Sequence, residues 1–165
     1  MEEKRTAWRF FKPWRFSTDE ANVRKAMLNV AGLAPAVVIT GGSRGIGLAL
    51  AQRFLEGGHR VVIVARNAVR LDEAARELGA ATGSEVVTVV CDVAEPNAFD
   101  VISADVKRAG LYLDVLVNNA GFGLAGPYVG HSDADLSRLL AINVEALTRL
   151  TRAALPDMLA RARGG

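Results

Sequence analysis

Four short runs of apolar, largely β-branched residues punctuate the chain, and each gives way within a few positions to helical spacing. Residues 36–40 read AVVIT, 60–65 RVVIVA, 85–91 EVVTVVC and 113–118 LDVLVN. Runs of this kind without regular polar alternation predict strands covered on both faces. IGLALAQRFLE follows the first run and stops at Gly57 and Gly58, and a second helix over about 68–79 stops at Gly79. A third helix opens at Pro96 and closes at Gly110. After a glycine-rich loop, Ser132 caps helical sequence to about Arg163, which Pro156 should kink or interrupt. Strands alternating with helices of this length predict an α/β fold with a parallel sheet, because parallel neighbours need a crossover. Right-handed crossovers place the strands in the order 3-2-1-4, a Rossmann-type doubly wound sheet. No internal repeat or low-complexity segment competes with this pattern.

The first strand runs directly into Thr40-Gly41-Gly42-Ser43-Arg44-Gly45-Ile46-Gly47, which then opens a helix. Glycines permit a tight turn and close approach of backbone N–H groups to a pyrophosphate, whose charge a helix N-terminus favours. Taken alone, the loop also fits a strand-to-helix turn that binds nothing. The spacing T-G-x-x-x-G-x-G resembles the fingerprint of classical short-chain dehydrogenases/reductases. Asp92 after the third strand, Asn118-Asn119-Ala120-Gly121 after the fourth and Asn143 in the following helix complete the likeness in order. It extends over about residues 36–165.

The resemblance implies a cofactor site built from Thr40, Gly41, Ser43, Arg44, Gly45, Ile46 and Gly47. It also implies that Asp92 contacts an adenine ring with Val93 beside it, and that Asn119, Ala120 and Gly121 line the cofactor cleft. Read without the family, 118–121 is a turn, since Asn and Gly tolerate left-handed backbone, and Asp92 is a capping carboxylate. Cofactor choice has a physical argument of its own. Rossmann folds that bind NAD place an acidic residue at the end of strand two for the ribose 2′-hydroxyl. This chain has Ala65 and then Arg66 there, and Arg44 adds a second cation from the glycine loop. A guanidinium pairs with a 2′-phosphate where a carboxylate would repel it, so NADP(H) is expected in preference to NAD(H). The competing reading leaves both arginines as solvated surface charges.

Catalysis in the family resembles acid–base chemistry by a Tyr whose proton affinity a Lys lowers, with a Ser orienting the substrate carbonyl. Tyr and Lys stand four positions apart, on one helix face. Here Tyr112 is followed four positions later by Leu116 and Tyr128 by Ser132, and none of the four lysines follows a Tyr at that spacing. Asn143 is therefore the one candidate from the family's catalytic set. Without Tyr and Lys, a structural role is favoured for it, its side chain holding a neighbouring backbone. His59 and His131 join no triad, and no metal site is expected. The residues 161–165 resemble the helix end that precedes the family's fifth strand. The chain is thus expected to be truncated before strand five and catalytically incomplete. Val115, Leu116 and Val117 would then lie on an unpaired hydrophobic edge, favouring self-association.

The net charge of +2 hides an asymmetry: residues 1–16 carry a balance of +3, which leaves −1 for all the rest. The basic pI therefore implies no nucleic-acid surface on the folded body. Five of the ten aromatics also lie in 1–16, a cation–aromatic mixture that can touch a membrane interface, although an extension without such contact is favoured. Ser17 and Glu20 form a capping box for a short helix to about Val30, ended by Gly32 and Pro35. Residues 1–34 are accordingly expected to be an N-terminal extension, and 35–165 an incomplete Rossmann NADP-binding domain. The uncharged stretch 26–43 is interrupted by Pro35, glycines and polar side chains, so it reads as neither membrane span nor signal peptide. The lone Cys91 cannot form an internal disulfide and suits a cytoplasmic setting.

Two functions follow as expectations. One is an NADP(H)-dependent oxidoreductase acting on a carbonyl or alcohol substrate, its identity set by parts not seen here. The alternative is a non-catalytic nucleotide-binding or interaction module.

Overall fold

The computed structural model describes Ala21 and residues 30–165. The basic, aromatic stretch 1–16, the capping box at Ser17 and Glu20 and nearly all of the helix expected after it lie outside the described residues. Strand β1 (Ala34–Thr40) is central, flanked by β2 (Arg60–Ala65) and β4 (Leu111–Val117), with β3 (Val86–Val90) beyond β2. All pairings are parallel and the order is β3-β2-β1-β4, as the crossover argument required. Val37 stands beside Val61 and Val115, and Ile39 beside Ile63 and Val117.

Successive side chains of a strand point to opposite faces, and here each face has its own core. Val37, Ile39, Val61 and Ile63 pack with Leu55, Leu71 and Leu78 on one side. Val38, Val62, Val64 and Val89 pack with Ile102, Val106 and Leu150 on the other. This double burial is why the strands read as unbroken apolar runs. The helices that follow β1, β2 and β3 each answer with a buried row at three- or four-residue spacing. Helix α1 (Gly45–Glu56) buries Gly47, Ala51 and Leu55, and α2 (Ala68–Thr82) buries Leu71, Ala74 and Leu78. Helix α3 (Ala98–Arg108) buries Ala98, Ile102 and Val106 against the opposite face. Full burial of each such Val, Leu or Ile side chain is worth about 1.5–3 kcal/mol, so this interior is the main source of stability.

Several expected boundaries move. Pro35 lies within β1, opposite Tyr112, and the helix it was expected to end lies outside the described residues. Pairing with β2 begins only at Ala36, so the N–H that proline lacks has no strand partner waiting for it. Helix α2 runs through Gly79 and ends at Gly83, whose φ of +68° supplies the left-handed cap. Pro96 precedes α3 without opening it, because Asn97 is the N-cap.

The sequence after the glycine-rich loop is one continuous helical rod with an irregular middle. Helix α4 (Asp133–Leu140) begins at Ser132, whose hydroxyl accepts the Asp135 N–H at 3.1 Å. A π-helical turn (Ala141–Ala146) follows, and then α5 (Leu147–Ala160). Pro156 does not interrupt α5. It sits on the exposed face, where water can satisfy the carbonyl its missing N–H leaves open. Past the helix, buried Arg161 lies 4.9 Å from the Tyr112 ring centroid and donates to the Leu113 carbonyl at 3.0 Å. Gly165 then accepts the Leu116 N–H at 2.8 Å and donates to the Asp114 carbonyl at 3.1 Å. The β4 edge is therefore not bare at this point.

Candidate functional site

In a doubly wound sheet the crevice opens at the carboxyl ends of the strands, where the order reverses. Here that point lies between β1 and β4, and a cleft of about 430 Å3 opens there. Its walls come from four loops. The β1–α1 loop and the first turn of α1 give Gly41, Ser43, Arg44, Gly45 and Ile46, and the β2–α2 loop and the first turn of α2 give Arg66, Asn67 and Arg70. Cys91, Asp92 and Val93 follow β3, and Asn119, Ala120, Gly121 and Phe122 follow β4. Eleven of the expected cofactor residues thus share one cavity, and the other two, Thr40 and Gly47, stand behind it.

Thr40 is 1% exposed, and its hydroxyl is the knot between two loops. It donates to the Val117 carbonyl at 3.2 Å and accepts the N–H groups of Asn119 and Ala120, each at 3.0 Å. Asn119 Nδ2 returns the contact, donating to the carbonyls of Thr40 at 3.0 Å and Gly41 at 3.2 Å. Gly47 makes this approach possible: a Cβ there would lie 2.4 Å from the Gly41 oxygen and 2.5 Å from Asn119 Nδ2. Gly41 itself has φ +68° and would bring a Cβ within 2.9 Å of Ala120 Cα.

Electrostatically the cleft favours an anion. Helix α1 points its N-terminus at it, and among the described residues no side chain caps that end and no acid stands in its first turn. By contrast α2 is capped by Asn67, whose Oδ1 accepts the Arg70 N–H at 2.9 Å. Uncapped N–H groups and the helix dipole form a positive surface. Arg44, Arg66 and Arg70 add formal charge along the same rim.

Asp92 is the acid of the wall. Burial pushes its carboxyl up, but hydrogen bonds from Arg138 and the Ala94 N–H, with the charges of Arg138 and Arg66, outweigh that and hold it below the usual carboxylate range. Cys91 is buried, and burial pushes its thiol up, reinforced by the negative charges of Asp92, Glu95 and Asp105. A thiol held protonated in this way is a packing group rather than a nucleophile.

Asn143 is not part of the cavity wall; its neighbour Ile142 is. The Asn143 side chain accepts the Phe122 N–H at 3.1 Å and donates to the Phe122 carbonyl at 2.8 Å. It thereby fixes the loop after β4. Sequence reasoning missed Asn67, Arg70, Phe122 and Ile142. Asn67 and Arg70 had a legible signal, an N-cap and its first turn directly after Arg66. The others had none. Among the described residues no cluster of His, Cys, Asp and Glu can hold a metal, and no helix is long and apolar enough to cross a membrane.

A family model described as short chain dehydrogenase matches residues 35–165. A 3-dehydrosphinganine reductase of Arabidopsis thaliana is 42% identical over 123 residues, which make up 74% of this chain and 36% of that protein. A very-long-chain 3-oxoacyl-CoA reductase of Anas platyrhynchos is 33% identical over 138 residues, 81% of this chain and 44% of that protein. L-sorbose reductase from Gluconobacter frateurii, solved in complex with NADPH and L-sorbose, superposes with a TM-score of 0.69 at 40% identity. That match covers 79% of this chain and 50% of the reductase. A metagenomic short-chain oxidoreductase in complex with NADP gives 0.71 at 38% identity, over 81% of this chain and 60% of that one. The chain thus spans less than half the length of these curated relatives.

Proposed function

The chain belongs to the short-chain dehydrogenase family, and on that premise we propose that its cleft binds NADP(H) in preference to NAD(H) and serves an oxidoreductase acting on a carbonyl or alcohol. The observation that carries the reading is the meeting of Arg44, Arg66 and Arg70 with the uncapped N-terminus of α1 around one cavity. The helix end suits a pyrophosphate and the arginines a 2′-phosphate. The cleft wall at Asp92 and Val93 suits an adenine ring, and that at Asn119, Ala120 and Gly121 the rest of the dinucleotide. Gly47 leaves the space without which the glycine loop could not close on Asn119. When bound, the cofactor supplies or accepts the hydride; the chain's own residues bind and orient it.

Fluorescence titration of the purified chain with NADPH and NADH tests this directly. Tighter binding of NADPH is expected. Equal weak binding of both, or none, would remove the reading.

A second reading, a nucleotide-binding module without turnover, is favoured by one fact: these 165 residues contain no Tyr four positions before a Lys. Oxidation of NADPH by the 165-residue chain with a panel of ketones separates the two readings. The buried, lone Cys91 is compatible with a cytoplasmic setting. The apolar β4 edge, met among the described residues by Gly165 and by Arg161 at the Leu113 carbonyl, favours self-association where it stays open. A mass that stays monomeric at every concentration in light scattering would count against it.

A further inference from the structure

We infer that Arg138 is a positioning residue for base recognition: it locks the Asp92 carboxylate so that its remaining lone pairs face the cleft and accept the exocyclic amine of an adenine. The inference rests on the cofactor reading above and assigns a cause to one part of it.

Asp92 lies on the cleft wall, at the end of β3. Its Oδ1 accepts the Ala94 N–H at 3.0 Å, closing a small turn on itself. Its Oδ2 is ion-paired with the guanidinium of Arg138, which comes from α4, 46 positions away in sequence. Arg138 itself is not on the cavity wall. Arg149, three turns further along the same rod, donates to the Ala94 carbonyl at 2.7 Å. The 92–94 turn is therefore gripped at both ends by one helix. Between the two arginines, Asn143 grips Phe122 by its N–H and its carbonyl. A single rod thus fixes two loops of the cleft, one after β3 and one after β4.

The consequence is chemical. An ionised carboxylate has about four acceptor positions, and the two anchors use one on each oxygen. The remaining positions can accept an amine but not a second acceptor. Adenine presents an amine at C6, whereas hypoxanthine presents a carbonyl. A carboxylate free to rotate could turn away from a mismatched base, but one held by a guanidinium and a backbone N–H cannot, and rigid polar sites discriminate best.

The test compares NADPH with its analogue carrying hypoxanthine in place of adenine, both titrated by fluorescence against the full 165-residue chain. The wild type is expected to prefer NADPH by about tenfold, the scale of one hydrogen bond to a charged group. Arg138→Ala and Arg138→Gln should bring that ratio close to unity, and Arg138→Lys should restore part of it. The Gln variant keeps most of the bulk and removes the charge that pairs with Asp92, should the Ala variant fail to fold as judged by circular dichroism. A merely structural role for Arg138 would weaken both ligands alike and leave the ratio untouched, which overturns the inference. A wild-type ratio of unity overturns it too. Absence of any NADPH binding by the wild type removes the cofactor reading and this inference with it. Binding with unchanged ratios in the variants removes this inference alone.

Discussion

Thr40 and Asn119 hold each other across 79 positions of sequence: the threonine hydroxyl accepts the Asn119 N–H, and the asparagine amide donates to the Thr40 carbonyl, both at 3.0 Å. The contact ties the end of the central strand to the loop after β4. It sets the distance between the two sides of the cleft before any ligand arrives.

Replacing Thr40 with Val keeps the shape and removes the hydroxyl that accepts two N–H groups and donates to Val117. Leaving these two partly buried N–H groups unpaired costs about 1–3 kcal/mol each, so Thr40→Val should destabilise the fold by roughly 2–6 kcal/mol. Thr40→Ser should cost much less, since the hydroxyl survives. Urea unfolding of the three proteins checks both statements.

Gly47→Ala places a methyl group 2.4 Å from the Gly41 oxygen. The glycine loop or Asn119 must then move, at a cost of about 1–3 kcal/mol for overpacking. NADPH affinity should fall about tenfold or more even where the variant still folds. An unchanged dissociation constant would mean that the close approach at Gly47 does not shape the ligand site.

Arg66→Asp replaces a cation on the cleft rim with a carboxylate at the end of β2. It should weaken NADPH by about tenfold or more through loss of a charge-assisted pair and added repulsion. NADH should be affected little or bind better. Parallel loss of both cofactors would place Arg66 outside the 2′-phosphate contact.

Asp92 titrates below the usual carboxylate range in the folded chain, held there by Arg138, the Ala94 N–H and Arg66 against the opposing pull of burial. A group depressed in this way stabilises the fold above its unfolded value, near 4, and loses that contribution as pH falls through the folded value. The wild type should therefore exceed Asp92→Asn in stability at pH 6–7, and the gap should close below about pH 4. Urea midpoints measured from pH 3 to pH 7 give the result. A gap independent of pH would show that the ion pair with Arg138 contributes nothing net.

Much of this architecture was legible because burial on both faces leaves a period-free apolar signature. Residues 36–40 and 60–65 could hardly be anything but internal parallel strands, and the crossover rule then fixed their neighbours. The glycine loop was legible because all four of its glycines are demanded by contacts or by positive φ. What escaped has physical reasons. Gly79 resembles a helix stop, yet α2 continues because Leu78 is buried behind it and Gly83 supplies the better cap. Pro156 resembles a break, but it falls on the face of α5 turned to water. The π turn at Ala141–Ala146 leaves no trace in a 3.6-residue pattern, because one added residue shifts the phase without changing composition. Arg138 was invisible for a different cause: its partner Asp92 is 46 positions away, and nothing local announces such a pair.

Strand β1 is bonded along both edges and sealed on both faces, whereas Ser43 and Arg44, a few residues further on, lie open along the cleft. The amides of Val37, Val38 and Ile39 should therefore exchange with solvent deuterium only when the whole molecule opens, while those a few residues later exchange through local breathing. The border between these two regimes falls just past Gly42, because the N–H groups of Gly41 and Gly42 are both bonded to the Val64 carbonyl, at 2.8 and 3.3 Å. A ligand in the cleft would slow only the far side of that border, so exchange across five consecutive peptide bonds would separate occupancy of the site from stability of the fold.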